Sequence, residues 1–594
     1  MKKSETYIKI LLFIIAAVLF LYNLGSALPI IEMEKFYYQS VKEMFAGHDW
    51  ITPYYHGEFR FAKPILFYWC VSLSYLAFGI NNFAARFPSA IFAILTVLTT
   101  FSIGRRLFDS KTGLLAALMT ATFPLFFMYA RYASPDMALT FLMTYAMYLF
   151  IRGAEDPAKG KGFFMAFFAM LGLATATKGL GGFILPLIAA VAYIVSAKKW
   201  SLFKSMNIPL GLVIMLAIGL PWYILMYKLH GDVYLNHIIA KETLERVFYS
   251  PENKGGSAFL VPYLLNFFDY VPVLLLFFIP HSLFLPAALV DAFKNKNRSP
   301  REKDSYRFIL SFFLTVFVVF TLMSSKIYHY MLPISPALGL LLAGYLINLE
   351  RTPHPVLRRS ALWGAGFNIM YILIIIVYAI SISMILYVMH HLYPTKIHFH
   401  EYAFILLPLF LIVPYLKKKG QAALFALPLA AFIFLAFLAG KALPLLNDNI
   451  FPPFSEEIRQ GLKEGDRVAV GSVTISQQQL SVYLDMPIDE VNARLKDPEE
   501  AFRAHKQKVM EYITSGNDFY LVISEDDYNR FIPDGMKANF RIMDEKDTWK
   551  SRLKGVFGKS VVKDILSGKK DLLKDVLRHK VYLVTNKKAA ISPR

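Results

Sequence analysis

The chain has 594 residues, of which 56% are hydrophobic, and its formal net charge is +20. So large an apolar fraction excludes a soluble globular protein and indicates many membrane spans. Its single cysteine, Cys70, excludes an intramolecular disulfide. The positive charge does not indicate nucleic-acid binding, because most of it falls in short loops between apolar runs.

About 13 apolar runs approach the roughly 20 residues that a helix needs to cross a bilayer. The first run, after Lys2 and Lys3, is longer than the apolar core of a signal peptide, so we interpret it as a retained span. The predicted spans lie near 8–28, 84–104, 111–130, 135–152, 162–177, 180–197, 206–227, 260–290, 306–323, 330–348, 361–389, 402–416 and 421–442.

Basic clusters fall in every second loop between these runs, which is the pattern of cytoplasmic loops. The clusters are Lys2-Lys3, Arg105-Arg106, Lys159 with Lys161, Lys198-Lys199, Lys294 to Lys303, Arg358-Arg359 and Lys417 to Lys419. An odd number of spans then leaves the N-terminus in the cytoplasm and the C-terminus outside it.

Two of the predicted outer loops are long. The first, about 29–82, contains a predicted amphipathic helix at 34–45 and an aromatic stretch at 64–78 that is typical of a helix lying along the membrane. The second, about 228–258, is polar. Candidate acids, bases and a tyrosine therefore converge on the outer side, which suggests an enzyme acting at the outer leaflet. They are Glu32, Glu34, Lys63, Asp136, Lys178, Glu245, Arg246, Lys326 and Tyr330.

After about residue 442, short β patterns alternate with helical patterns and charged residues become frequent. We predict strands at 467–470, 520–524 and 580–585, and helices at 455–463, 498–515 and 561–579. Such alternation predicts a small extracytoplasmic α/β domain at 443–594 with a largely parallel sheet, following a membrane domain at 1–442. Because it lacks a glycine-rich phosphate motif, we assign this domain a structural or docking role.

An ordered series of motifs in the first outer loop resembles a known family. Glu34-Lys35 is followed by Gly47-His48-Asp49-Trp50-Ile51-Thr52-Pro53, then by Phe61-Ala62-Lys63-Pro64 and by Asn81-Asn82-Phe83 with Arg86. The series resembles the first periplasmic loop of the glycosyltransferases related to aminoarabinose transferase and the protein O-mannosyltransferases. In that family an Asp-Glu pair opens the loop, and the resemblance extends over residues 1–345 of this chain.

This resemblance implies a GT-C glycosyltransferase, a polytopic α-helical enzyme of the bacterial inner membrane with about 13 transmembrane helices. Its donor would be a polyprenyl-phosphate-linked sugar, and its acceptor lipid A or another envelope glycolipid. A protein acceptor with the same donor is the alternative. Inverting transfer needs a carboxylate to accept the acceptor's proton and cations to neutralise the leaving phosphate.

The resemblance also implies roles for individual carboxylates. The family's catalytic Asp corresponds to Met33, which cannot act as a base, so the role passes to Glu34 or to nearby Glu32. Asp136 matches a second acidic position of the family, near the acceptor site. It follows Ser134-Pro135, so the same residue is predicted to lie in the first turn of a helix.

The remaining family positions are mostly cationic, as a phosphate or a polar cavity requires. We expect donor-phosphate or substrate contacts from Lys63, Arg86, Lys178, Glu245, Arg246, Lys326 and Tyr330. The family's two metal-ligand positions correspond to Ala62 and Thr243, so no metal and no cofactor are predicted. We expect His390, His391, His398 and His400 to be solvated at the membrane interface.

Two other classes of function stay open at this point. A transporter or flippase for lipid-linked sugars would need charged groups at the membrane midplane, and Asp269 is a candidate for such a group. A catalytically inactive relative of the transferases is the other alternative, because Met33 replaces the family's catalytic acid.

Overall fold

A computed structural model describes residues 2–26, 34–156, 160–238, 268–294, 298–323, 326–351, 361–393, 396–416, 420–446, 449–472, 475, 477–491, 498–549 and 578–587. Helices dominate the described residues as far as residue 446, together with one hairpin of strands β1 (Tyr54–Tyr55) and β2 (Glu58–Phe59). These helices are α1 (Lys2–Leu21), α2 (Glu34–Gly47), α3 (Leu66–Phe78), α4 (Asn82–Leu107), α5 (Ser110–Thr122), α6 (Pro124–Ala130), α7 (Pro135–Glu155), α8 (Gly160–Lys178), α9 (Gly181–Ser196), α10 (Ser201–Ser205), α11 (Ile208–Gly219), α12 (Pro221–Asn236), α13 (Tyr270–Leu276), α14 (Leu285–Lys294), α15 (Pro300–Leu322), α16 (Ser335–Arg351), α17 (Ala361–Leu392), α18 (Leu407–Leu416), α19 (Gly420–Phe437) and α20 (Leu443–Leu446). Short 3-10 helices lie at His281–Phe284, Tyr328–Ile334 and Phe399–Leu406, and a π-helical turn lies at Leu438–Ala442.

The chain forms two compact units, each described by itself. The first comprises Met1–Ser26, Ser40–Met384 and Phe399–Lys441. The second contains the described residues of 27–39, 385–398 and 442–594. Helix α2 therefore starts in the second unit and ends in the first.

Among the described residues, seven helices are long and apolar enough to cross a membrane. The number rises to ten if each of three bent helix pairs is one span. Further apolar helices of 10–17 residues lie at Leu66–Phe78, Gly181–Ser196 and His400–Leu416. The predicted polytopic α-helical membrane protein is thus confirmed, and α2 and α3 confirm the two helices predicted in the first outer loop.

Three predicted spans are bent in the structure, and the one near 206–227 has the smallest bend, 46°. The run near 111–130 consists of α5 and α6, which meet at 68° because Pro124 cannot continue the α5 hydrogen-bond ladder. The run near 260–290 is described from residue 268 onward. There, Tyr270–Leu276 and His281–Lys294 meet at 118° around a segment that contains Pro280, so the helix of this predicted span is broken.

Close helix contact in the first unit depends on glycine. Helices α4 and α5 approach at Gly104 and Gly113, and a Cβ atom on Gly104 would lie 2.7 Å from the Gly113 Cα. A Cβ atom on Gly113 would lie 2.7 Å from the Phe101 carbonyl oxygen. The two backbones therefore leave no room for a side chain.

Replacing Gly113 with Ala should lower the free energy of unfolding by about 1–3 kcal/mol, because the added methyl group overpacks two backbones. Gly162→Ala is the matched control, since a Cβ atom there meets nothing within 4 Å. The control should change stability by no more than about 0.5 kcal/mol. Thermal unfolding in detergent measures both variants, and equal stabilities would contradict the tight α4–α5 contact.

Ion pairs join helix ends that lie next to the predicted cytoplasmic clusters. They are Glu5 with Arg105 (2.7 Å), Asp304 with Lys199 (2.6 Å), Asp109 with Arg351 (2.5 Å), Glu155 with Arg106 and Asp291 with Arg298. Each partly exposed pair is worth about 0–1 kcal/mol. Their common effect is to link neighbouring helices at the end of the bundle that is predicted to face the cytoplasm.

The C-terminal part contains a four-stranded sheet with helices packed against it. Its strands are β3 (Arg467–Val470), β4 (Phe519–Ser524), β5 (Arg541–Trp549) and β6 (Arg578–Thr585). Its helices are α21 (Phe451–Gly461), α22 (Gln477–Leu484), α23 (Pro498–Ile513), α24 (Glu525–Phe531) and α25 (Asp534–Lys537). Apolar side chains of β3, β4 and β6 form cores on both sides of the sheet.

The sheet order is β3-β4-β6-β5, in which only β3 and β4 pair in parallel. The predicted largely parallel sheet is therefore wrong. Strand β5 was not predicted because it is a charged edge strand with few apolar residues to show its period. The helix predicted at 561–579 falls mostly outside the described residues, and residues 578–579 begin β6.

Candidate functional site

A buried ion pair joins the adjacent ends of two helices in the first unit. Asp136 lies in the first turn of α7 and is 3% exposed. Lys178, the last residue of α8, donates to its Oδ1 atom. Ser134, the N-cap of α7, donates from its hydroxyl to the other carboxylate oxygen of Asp136. Two donors, one from each helix end, thus define the position of this carboxylate.

The local sequence explains why the two charges meet there. Pro135 occupies the first turn of α7, where its missing N–H costs no hydrogen bond. Gly179 ends α8 with a φ of +82°, a conformation that favours glycine. An acid at a helix N-terminus and a lysine at a helix C-terminus each interact favourably with the dipole of their own helix.

The 3-10 helix Tyr328–Ile334 adds aromatic groups to this pair. His329 Nε2 lies 3.8 Å from Asp136 Oδ1, and the Lys178 ammonium lies 5.2 Å from the centroid of the Tyr330 ring. Tyr129, at 5.4 Å from the His329 ring, extends the cluster. The structure therefore brings together three residues predicted for the site, Asp136, Lys178 and Tyr330, and adds two that were not predicted.

Lys326 lies just before this 3-10 helix, at the end of α15. Its ammonium donates to the carbonyl oxygen of Thr321 and, at 3.3 Å, to that of Phe320, and it lies 5.4 Å from the Tyr270 ring centroid. Burial lowers the pKa of Lys326, against the opposing effect of the Asp269 carboxylate. A lysine held in this way carries its charge at the C-terminal end of a helix.

Lys63 is also buried, with 8% of its surface exposed. Its ammonium donates to the carbonyl oxygen of Ala62 at 2.7 Å. The side chain follows the β1–β2 hairpin and precedes α3, so an irregular segment positions it. Its predicted contact with the donor phosphate stays a prediction.

Arg86 is hydrogen-bonded to backbone carbonyl groups, a contact not predicted from the sequence. Its guanidinium donates to the carbonyl oxygens of Leu24 and Ser26, at 3.1 and 3.3 Å. Arg131, which was not predicted, donates to those of Tyr22 and Asn23 at 2.8 and 3.1 Å. Both arginines therefore satisfy carbonyl groups where α1 ends, and the predicted substrate contact of Arg86 stays a prediction.

Glu34 is the first residue of α2 and is 2% exposed. It belongs to the second unit and is a first-turn acid, which the dipole of α2 stabilises. Glu32, Met33, Glu245, Arg246 and Thr243 lie outside the described residues. The choice between Glu34 and Glu32 as the base therefore stays a prediction.

The part of the chain that the structure describes contains no group of three or more His, Cys, Asp or Glu residues that could hold a metal ion. His390, His398 and His400 are exposed, as predicted, and His391 lies outside the side chains that the structure describes. Ala62 offers no ligand atom in its side chain. The absence of a metal and a cofactor stays a prediction.

Asp269 was the candidate for a buried acid on a transport path. The structure places it immediately before α13, and the residue is exposed. The charged side chains of the described site instead lie at the ends of helices. The position of Asp269 therefore gives the transporter alternative no support.

Part of the chain matches a model of a known protein family, and most of it matches a protein of similar sequence. Residues 62–225, which include Lys63, Asp136 and Lys178, match a family model described as dolichyl-phosphate-mannose-protein mannosyltransferase. A protein of Aquifex aeolicus is 28% identical over 82% of this chain and 89% of its own length.

Several relatives carry the name undecaprenyl phosphate-alpha-4-amino-4-deoxy-L-arabinose arabinosyl transferase, and two of them show the extent of the match. The one from Edwardsiella ictaluri is 29% identical over 55% of this chain and 57% of that protein. The one from Pseudomonas aeruginosa strain UCBPP-PA14 is 27% identical over 56% of this chain and 59% of that protein. The match thus spans less than two thirds of the length of these relatives.

The whole chain also resembles solved structures. ArnT from Cupriavidus metallidurans, bound to undecaprenyl phosphate, superposes with a TM-score of 0.66 at 20% identity, covering 98% of this chain and 99% of that chain. The apo state of the same protein gives a TM-score of 0.63. At this identity the likeness establishes the fold.

Proposed function

Because the chain has the GT-C fold of glycosyltransferases that use polyprenyl-phosphate-linked sugars, we propose that it transfers a sugar from such a donor to lipid A or another envelope glycolipid. The names of the relatives point to undecaprenyl phosphate as the carrier and to 4-amino-4-deoxy-arabinose as the sugar. The donor and acceptor are therefore both membrane lipids.

The observation that carries this proposal is the buried set of Asp136, Lys178 and Tyr330 within the segment that matches the family model. A buried lysine needs a partner, and Asp136 supplies it without removing the ammonium from the surface, since the Lys178 side chain remains 13% exposed. The ammonium can therefore still interact with an anionic group on a bound substrate.

The predicted residues have two tasks in this reaction, to accept a proton and to neutralise the leaving phosphate. The acceptor oxygen attacks the anomeric carbon of the sugar while the bond from that carbon to the phosphate oxygen breaks. Glu34, or else Glu32, accepts the proton of the acceptor hydroxyl. The negative charge left on the polyprenyl phosphate is neutralised by cations and a phenol. We assign these contacts to Lys63, Arg86, Lys178, Arg246, Lys326 and Tyr330, with Glu245 beside Arg246.

We further propose that transfer proceeds without a bound metal ion. Aminoarabinose transferases have two positions that look like the ligands of a metal ion. In this chain the corresponding residues are Ala62 and Thr243. Neither side chain is a carboxylate, an imidazole or a thiolate, which are the ligands that zinc uses in proteins.

The proposed topology has a cytoplasmic N-terminus and a periplasmic C-terminal domain in the inner membrane. Helix α1 and the apolar helices Gly181–Ser196 and His400–Leu416 would cross the membrane in addition to the longer ones, which gives about 13 spans. Alternation of the basic clusters supports this orientation. Asp136 and Lys178 then lie at the outer ends of α7 and α8.

A protein acceptor is the second candidate, because the matching family model is named for protein mannosyltransferases. Transport of the lipid-linked sugar is less well supported. Alternating access would require the cytoplasmic end of the bundle to open, and ion pairs such as Glu5–Arg105 and Asp109–Arg351 link the helices there.

Mass spectrometry of envelope lipids should detect a glycolipid heavier by one sugar in cells that make the wild-type protein. The heavier species should be absent from cells that make Asp136→Asn at equal abundance, because the neutral amide no longer compensates Lys178. Asp526→Asn, the same change at an exposed position of α24, is the matched control and should retain the species.

Identical lipid profiles with and without the wild-type protein would contradict a glycolipid acceptor. A sugar-bearing protein found only with the wild type would then establish the second candidate. Unchanged lipids and proteins, together with altered sidedness of the lipid-linked sugar, would establish transport instead.

A further inference from the structure

The start of helix α2 is attached to the C-terminal domain within the second unit. Gln39 is 3% exposed, and its side-chain amide donates to the Asp485 carboxylate at 3.2 Å. The preceding residue, Tyr38, interacts with the same region. Burial first, and then the nearby Tyr483 and Asp485, raise the pKa of Tyr38. Two consecutive residues of α2 are therefore close to the end of α22.

Asp485 is held in a defined orientation where α22 ends. Its φ of +63° is left-handed, a conformation that asparagine and aspartate adopt more readily than other non-glycine residues. Its N–H donates to the Ser481 carbonyl oxygen at 2.9 Å, and the Ser481 hydroxyl donates to the carbonyl oxygen of Met486 at 2.6 Å. This is a helix C-terminus closed by a left-handed residue.

Helix α22 is in turn fixed to the sheet of the domain. Leu480 and Leu484 are buried in a core with Val470 of β3 and Val522 of β4. Tyr483 accepts a hydrogen bond from Asn449 at 2.8 Å through its hydroxyl group. The acceptor of the Gln39 hydrogen bond therefore belongs to a packed element, which makes it a firm anchor.

The hydrogen bond between Gln39 and Asp485 lies close to Glu34 along α2. Gln39 follows Glu34 by five positions, a rise of about 7.5 Å at roughly 1.5 Å per residue. Tyr38 follows Glu34 by four residues and so lies on the same face of α2. A restraint at Gln39 therefore limits the rotation of α2 about its axis, and with it the direction in which Glu34 leaves the helix.

We propose that the C-terminal domain positions the base of the transferase, and that the Gln39–Asp485 hydrogen bond is the contact through which it does so. The inference rests on the proposed function and goes beyond it, because it assigns a catalytic task to a domain that the sequence indicates only as structural or docking. Gln39 and Asp485 are positioning residues, since neither of them touches the reacting atoms in this scheme.

The Gln39→Glu variant tests the proposal, because it places a second carboxylate opposite Asp485 and turns the hydrogen bond into a repulsion. Misplacement of a reacting group by about 1 Å can cost roughly 100-fold in rate, so a decrease of about 10-fold or more is expected. The rate of sugar transfer is measured in isolated membranes at equal protein abundance. The apparent KM for the lipid-linked donor should not change.

The double variant Gln39→Glu with Asp485→Asn reverses the hydrogen bond, since the introduced amide donates to the introduced carboxylate. Asparagine also tolerates the left-handed conformation at this position. The double variant should recover the rate to within about 3-fold of wild type, as hydrogen bonds of either direction have similar strength. Gln39→Glu with Asp526→Asn is the matched control and should remain as slow as the single variant.

The outcomes separate this proposal from the proposed function. Transfer by wild type that is lost in Glu34→Gln but unchanged in Gln39→Glu would overturn the positioning role and leave the transferase intact. Loss of transfer in Gln39→Glu without recovery in the double variant would also overturn it. Absence of any sugar transfer by wild type would overturn the proposed function itself.

Discussion

The Glu34→Gln variant should transfer sugar about 100 to 10,000 times more slowly than wild type, because an amide cannot accept the proton of the acceptor hydroxyl. The substitution keeps the size of the side chain and its place in the first turn of α2, so the protein should remain folded. Initial rates in membranes that contain the lipid-linked donor and the glycolipid acceptor measure the effect.

Glu32→Gln is the matched control, since it removes the other carboxylate that could act as the base. If Glu34 is the base, Glu32→Gln should slow transfer by less than about 10-fold, which corresponds to roughly 1.4 kcal/mol in the barrier. Glu34→Asp should retain part of the activity, because it keeps a carboxylate with one methylene less. A wild-type rate in Glu34→Gln together with an inactive Glu32→Gln would transfer the role to Glu32.

The second large effect is expected at the buried ion pair. The Lys178→Met variant leaves the Asp136 carboxylate with no ammonium in a site where it is 3% exposed. Removing one partner of a buried pair costs about 3–5 kcal/mol, because the remaining charge is uncompensated. Denaturant unfolding of the purified protein in detergent should show this loss, and transfer activity should be lost with it.

Adding Asp136→Asn to Lys178→Met should restore most of the stability, since no unpaired charge remains, while activity should stay low. Lys199→Met is the matched control. Its partner is Asp304, and the two side chains are 38% and 30% exposed, so it should cost at most about 1 kcal/mol. Equal losses in Lys178→Met and Lys199→Met would mean that Asp136 does not depend on Lys178.

Hydropathy predicted the helices of the membrane part well, for a physical reason. In a lipid environment every backbone group must be hydrogen-bonded internally, so a long apolar run has few alternatives to a helix. Bends were harder to predict, since Pro124 and Pro280 break helices only in combination with the packing around them. In the C-terminal part, charged edge strand β5 shows that a strand without an apolar face leaves little trace in a sequence.

Sequence motifs also predicted some of the residues that meet at the site and missed others. Asp136, Lys178 and Tyr330 lie in motifs that resemble those of the glycosyltransferases, and three elements bring them together. His329 was missed because a histidine beside two tyrosines has no distinctive spacing. Arg131 carried a usable signal, since an arginine beside apolar runs needs acceptors, and here backbone carbonyls supply them.

The pairing of Asp136 with Lys178 has a consequence for how this segment enters the membrane. Helices α7 and α8 form a hairpin, and the ion pair closes its open end. When a single charge crosses a membrane, its free energy changes by about 2.3 kcal/mol for each 100 mV of transmembrane potential. Translocated together, the carboxylate and the ammonium have no net charge, so the membrane voltage neither drives nor opposes insertion of the hairpin.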